Sequence, residues 1–255
     1  VLALAALLAA PGGPGDLSPA ARASVPGGTP VFTDPLDIDN DLFPFRTGSI
    51  KVFRGTERRI AVTVVEAHLP EVRTFAWEGG EVACRTLRET IFEDGALLES
   101  SLGFYAQAQD GTVWSFGEVA EPVGDDDPGG DPDEDDTSWV VGALAPGDPE
   151  GTISVPGPTV FMPATPEAGD TWTPDAGDPG TDEVDTVLDA AARVRCPAGV
   201  FLGCLEVEER SGDSPERAFK WYAPGVGAIA ARGPGERLLL QATTLGKPAR
   251  PPRRR

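Results

Sequence analysis

Two segments of this chain repeat one pattern, and that repetition limits the folds open to it. Ala218-Phe219-Lys220-Trp221-Tyr222-Ala223-Pro224-Gly225-Val226-Gly227-Ala228-Ile229-Ala230 reads as an aromatic-Tyr-Ala strand end, a turn holding Gly, and a short apolar strand. Earlier, Phe104-Tyr105-Ala106 precedes the turn Asp110-Gly111 and the strand Thr112-Val113-Trp114. Other landmarks fall in line behind this echo: Gly48 and Gly169, then Cys84 and Cys204, then Tyr105 and Tyr222, in the same order and at nearly equal spacing. A self-match of this kind predicts a tandem duplication.

From Gly48 onward, apolar and polar residues alternate and turn residues interrupt the runs at short intervals, which predicts strands. The first half reads as strands over 49–54, 59–68, 73–77, 81–92, 97–108 and 112–118, with Glu93-Asp94-Gly95 and Asp110-Gly111 as turns. In the second half, 183–195 matches the second and third strands, 198–207 matches 79–87, and 216–223 matches 97–106. The alanines at 190–192 leave a short helix over 185–192 open as an alternative. The expected fold class is all-β with minor α at most: two tandem repeated antiparallel meanders forming curved sheets or a partly open barrel or sandwich. The expected organisation is a signal peptide truncated at its start (1–23), an extended lead-in segment (24–47), a first β repeat (48–121), an acidic Pro/Gly-rich loop and connector (122–160), a second β repeat (161–246) and a disordered basic tail (247–255).

The run Val1 to Ala10, the Pro/Gly spacer after it and Ala21-Arg22-Ala23-Ser24 have the form of a secretory leader and its cleavage site. That apolar run is too short to cross a bilayer, which takes about 20 residues. Export is therefore expected, to the outside or to the cell envelope. The net charge of -20 argues against nucleic acid as a partner, because a basic patch is needed to displace counterions.

Acidic residues gather at Asp125, Asp126, Asp127, Asp131, Asp133 and Asp135, among Pro and Gly. Self-repulsion predicts a solvated loop; the alternative is a Ca2+ site, since carboxylates are hard oxygen ligands. A second Asp-rich stretch from Asp37 imitates a calcium loop but has Leu42 where the sharp turn needs Gly and Gly48 where the bidentate Glu belongs. It reads instead as a lead-in segment pinned by Leu42, Phe43 and Phe45. Three cysteines in an exported chain, Cys84, Cys196 and Cys204, predict one disulfide and one spare thiol, with the pairing open. Cys-x-x-Cys and His pairs are both missing, which argues against zinc. His68 is the one His, so any Ser-His or Cys-His mechanism must use it; at a strand end beside Leu69-Pro70 it reads as a surface or capping residue.

Several motifs together, Ile38-Asp39-Asn40, Phe43-Pro44, Tyr105-Ala106-Gln107, Asp110 to Trp114, Phe116-Gly117-Glu118 and Trp221 to Gly227, resemble an uncharacterised family of exported bacterial proteins over residues 33–242. Phe104 and Ser115 depart from the family pattern, where larger aromatics are expected. The coarse architecture is similar to the curved-sheet lipoprotein carriers of the LolA type, a resemblance of fold that transfers no function. The family supplies no catalytic residues. The functional expectation is an exported, non-enzymatic binding or envelope-associated protein holding a hydrophobic or amphipathic small molecule or lipid between curved sheets. Phe104, Tyr105, Trp114, Trp221 and Tyr222 are its candidate lining residues, against a plain core role for the same side chains. The alternatives are a secreted hydrolase working through carboxylates and a calcium-stabilised surface protein.

Overall fold

Tight turns set the architecture. In the computed structural model, which describes residues 28–121, 123, 138–174, 183–211 and 216–246, Asp94 and Gly95 both take positive φ (46° and 86°). That conformation matches the twist of a two-residue hairpin. It joins β3 (Gly80–Glu93) to β4 (Ala96–Gln107). Glu78 and Gly79 do the same between β2 (Ile60–Trp77) and β3. Arg58 and Arg59, between β1 (Ile50–Glu57) and β2, adopt φ of 44° and 79°, which disfavours non-glycine residues. The Arg58 N–H is held there by Gly235 O at 2.9 Å.

The remaining strands are β5 (Val113–Ala120), β6 (Trp139–Val141), β7 (Ile153–Val155), β8 (Thr159–Met162), β9 (Thr171–Trp172), β10 (Val184–Cys196), β11 (Gly199–Arg210), β12 (Ala218–Ala223), β13 (Gly227–Gly233) and β14 (Glu236–Thr243). They form one large curved sheet, open rather than closed into a barrel, in the order β7-β6-β5-β4-β3-β2-β1-β14-β13-β12-β11-β10-β9, with β8 added to β5. Neighbours are antiparallel throughout except β6 and β7. No helix occurs among the described residues, and 185–192 is strand. The two meanders thus meet edge to edge, where β1 pairs with β14. Gly55 is required at that seam, because a Cβ there would stand 1.6 Å from Arg237 O.

Two details differ from the sequence reading. Residues 60–68 and 73–77 belong to one long strand, β2, whose register breaks between His68 and Val72; Pro70 sits in this irregular stretch, where its missing N–H breaks no ladder bond. Residues 138–160, read as connector, and the first two residues of the expected second repeat supply three short strands that extend and cover the first half.

The halves share unusual local geometry. Gly48 N–H donates to His68 O and His68 N–H to Ser49 O; Gly169 N–H donates to Val187 O and Val187 N–H to Asp170 O. The ladder also shifts between Phe104 and Tyr105, and again between Trp221 and Tyr222. These anchors make Lys51 with Glu66 the counterpart of Trp172 with Asp185, since each pair is directly cross-strand.

The sheet buries side chains on both faces. On the inner face Tyr105 packs on Phe43 and Phe161, with ring centroids 4.9 and 4.7 Å away, and Phe45 stacks on His68 at 4.3 Å. The lead-in segment is therefore pinned by its phenylalanines, and Asp39 has a structural partner: Gln107 Oε1 accepts from the N–H groups of Asp39 and Asn40, and Gln107 Nε2 donates to Asp39 Oδ1. On the outer face of the first half, Phe75, Phe104, Phe116 and Trp77 cluster.

Candidate functional site

The outer face of the second half is covered differently, and a hollow results. The β10–β11 hairpin arches across β12–β14, and its tip is fixed by the Ala198 N–H donating to Leu240 O at 3.1 Å. Beneath the arch lies a cavity of about 390 Å³, within the range of roughly 300–1,000 Å³ usual for small-molecule sites. Trp221, Ala230, Ala231, Leu239 and Val194 make its apolar lining, and Arg193, Arg195, Arg232 and Arg237 stand at its margin. Strand alternation explains this division: Phe219 and Trp221 on β12 face outward while Lys220 and Tyr222 face inward.

All four arginines are exposed, and none forms an ion pair among the described residues. Arg232 lies 5.1 Å over the Phe219 ring, and Phe219 stacks 6.3 Å from Trp221, so a flat aromatic and guanidinium surface leads into the hollow. In a chain of net charge -20, four such cations around one indole are a concentrated exception.

The first half shows what this place looks like when filled. Phe104 holds the position of Trp221 at the ladder shift but is only 3% exposed. The Arg73 guanidinium lies 4.8 Å from both the Phe104 and Phe75 rings, and its two terminal nitrogens donate to the Asp148 carboxylate at 2.7 and 2.8 Å. Aromatic, guanidinium and carboxylate are thus stacked there within the chain itself.

A second group of charges lies inside. Glu183, Asp185 and Glu209 are buried, with one oxygen from each within 4.8 Å of the others. Lys220 Nζ lies 2.6 Å from Glu209 Oε1. Burial, and then the neighbouring Glu209 and Glu183 carboxylates, push the Asp185 carboxyl well above its ordinary range. Tyr222 hangs beside this cluster, its hydroxyl pushed upward by burial. In the first half Lys51 pairs with Glu66, both buried, and Glu66, Glu89 and Glu118 surround Tyr105 in the same way.

Of the lining residues expected from sequence, Phe104, Tyr105, Trp114 and Tyr222 are buried in the core, and Trp221 alone lines the hollow. The acidic loop with Asp125, Asp126, Asp127, Asp131, Asp133 and Asp135 lies outside the described residues. His68 is buried rather than superficial: its Nδ1 accepts from the Arg46 N–H at 3.1 Å, and burial followed by the Lys51 charge lowers its pKa to about 3. The three cysteines are free and buried, in place of the expected disulfide. Sequence reasoning missed the four arginines, whose one available signal was the Arg-x-Arg of Arg193 and Arg195 in an acidic chain.

A scan of protein families and a search of curated proteins find no match to this chain. Among solved structures it is similar to one from Parabacteroides distasonis ATCC 8503, described as "a putative lipoprotein", with a TM-score of 0.40 and 12% identity, covering 80% of this chain and 99% of that one. A likeness so distant assigns no role. No helix among the described residues is long and apolar enough to cross a membrane, which says nothing of a crossing built from strands.

Proposed function

We propose that this is a non-enzymatic binding protein of the cell exterior or envelope, and that the hollow under the β10–β11 arch takes an amphipathic ligand with an anionic group. The observation that carries this reading is the set of four arginines around Trp221 with no carboxylate partner among the described residues. At the matching place in the first half, Arg73 over Phe104 is satisfied by Asp148. A ligand carboxylate or phosphate supplies to the second half what Asp148 supplies to the first, through charge-assisted and bidentate bonds to guanidinium. The apolar part of the ligand lies on Trp221, Leu239, Ala230 and Val194.

This relocates the ligand expected from sequence from the interior to the outer face of the sheet. The duplication is supported by the shared hydrogen bonds and ladder shifts, and it explains why one half is closed by its own connector while the other is left receptive. Export rests on the apolar run of residues 1–10 and the small-x-small site Ala21-Arg22-Ala23. Native mass spectrometry of the protein purified from its own host tests the reading: a retained anionic lipid or lipid-like adduct that disappears in Trp221→Ala supports it, and a bare chain refutes it.

A further inference from the structure

The ligand reading leaves the inward charges of the second half unused, and they carry a separate inference. We propose that Glu183, Asp185 and Glu209 form a site for one hard divalent cation, with Ca2+ the favoured occupant. β10 places Glu183, just ahead of the strand, and Asp185 two residues apart, hence on one face. β11 brings Glu209 directly opposite Asp185. Oxygens bound to one Ca2+ at 2.3–2.6 Å lie at most roughly 5 Å apart, and the three carboxylates meet that limit within 4.8 Å.

An acidic cluster alone is satisfied by protons, and two further features point to a metal. Asp185 Oδ1 and Glu209 Oε2 are buried acceptors with no hydrogen bond among the described residues; Lys220 engages Glu209 through Oε1. Such acceptors are costly unless something with positive charge reaches them. The counterpart position in the first half also shows what is missing: Lys51, cross-strand from Glu66, delivers its ammonium to that carboxylate. Cross-strand from Asp185 stands Trp172, an indole without charge. The second half therefore has no ammonium cross-strand from Asp185, and its buried Lys220 engages Glu209 Oε1 instead.

This site is distinct from any calcium held by the acidic loop, and the test separates them. The full chain is stripped with chelator, then titrated with Tb3+ read by luminescence excited through tryptophan, and its thermal midpoint is compared in Ca2+ and in chelator. Ca2+ is expected to raise the midpoint, Asp185→Asn to weaken Tb3+ binding at least about tenfold, and Asp131→Asn with Asp133→Asn to leave it unchanged. Trp172→Phe dims the luminescence while competition by Ca2+ persists. Identical midpoints in Ca2+ and chelator overturn the proposal whatever the variants do. So does an Asp185→Asn protein that binds as tightly as the original, or one that is more stable with an unaltered metal response, which assigns the cluster a shared proton. If Asp185→Asn fails to fold, Glu183→Gln gives the same reading.

Discussion

Lys220 and Glu209 form an ion pair of 2.6 Å in which both side chains are almost fully buried. Removing one partner of such a pair strands the other charge in a low dielectric, at a cost of about 3–5 kcal/mol. Lys220→Met is therefore expected to lower the urea midpoint sharply at pH 8 in chelator, and Lys220→Met with Glu209→Gln to recover much of the loss. Equal midpoints for the single variant and the original protein would contradict the pairing.

Glu57 and Glu236 stand directly opposite each other where β1 meets β14. Burial, and then the facing Glu57, raise the Glu236 carboxyl from 4.5 to about 7. A raised carboxyl binds its proton more tightly in the folded state, so its stabilisation is complete below pH 4.5 and is lost as pH rises through 7. Glu236→Gln, which imitates the neutral form, is expected to stabilise by about 1–2 kcal/mol at pH 8 and by less at pH 5. Denaturation curves at the two pH values read this directly.

His68 has the opposite sign. Its folded pKa, about 3, lies below the ordinary 6.5, so the unfolded chain binds the proton first and stability falls as pH drops from 6.5 towards 3. Because the chain has one His, its ring C–H resonance is unambiguous in an NMR titration. The ring is expected to stay neutral at pH 5, and half-titration near 6.5 would contradict its burial against Phe45.

The seam of the sheet depends on Gly55. Any side chain there meets the Arg237 carbonyl, so Gly55→Ala must push β1 away from β14 and is expected to cost more than the 1–3 kcal/mol typical of overpacking. A midpoint unchanged from the original would mean that the two halves do not meet at this edge.

The strands were legible because alternation and Asp-Gly, Glu-Gly and Pro-Gly turns are local signals, and Asp94 with Gly95 behaves as its sequence requires. The second half was harder to read because Asp185, Glu209 and Lys220 occupy inward positions normally held by apolar residues, and because the alanines at 190–192 on β10 favour a helix. The buried His68 was misjudged for a related reason: Pro70 suggested a strand end, whereas the strand absorbs it in an irregularity. Trp221 was recognisable as a candidate, but its arginines were not, since they converge only when the β10–β11 hairpin folds over β12–β14. That contact joins residues distant along the chain and leaves no local pattern.

The central claim is that the arginine-rimmed hollow recognises an anionic amphipath, and calorimetric titration with dodecyl phosphate and with dodecyltrimethylammonium, both below their micelle concentrations, tests it most directly. The account predicts saturable binding of dodecyl phosphate alone, accompanied by a change in Trp221 emission, and its loss in Arg193→Glu with Arg232→Glu while the fold is retained. Equal binding of the two detergents, no binding of either, or binding of dodecyl phosphate that survives the charge reversal would contradict it.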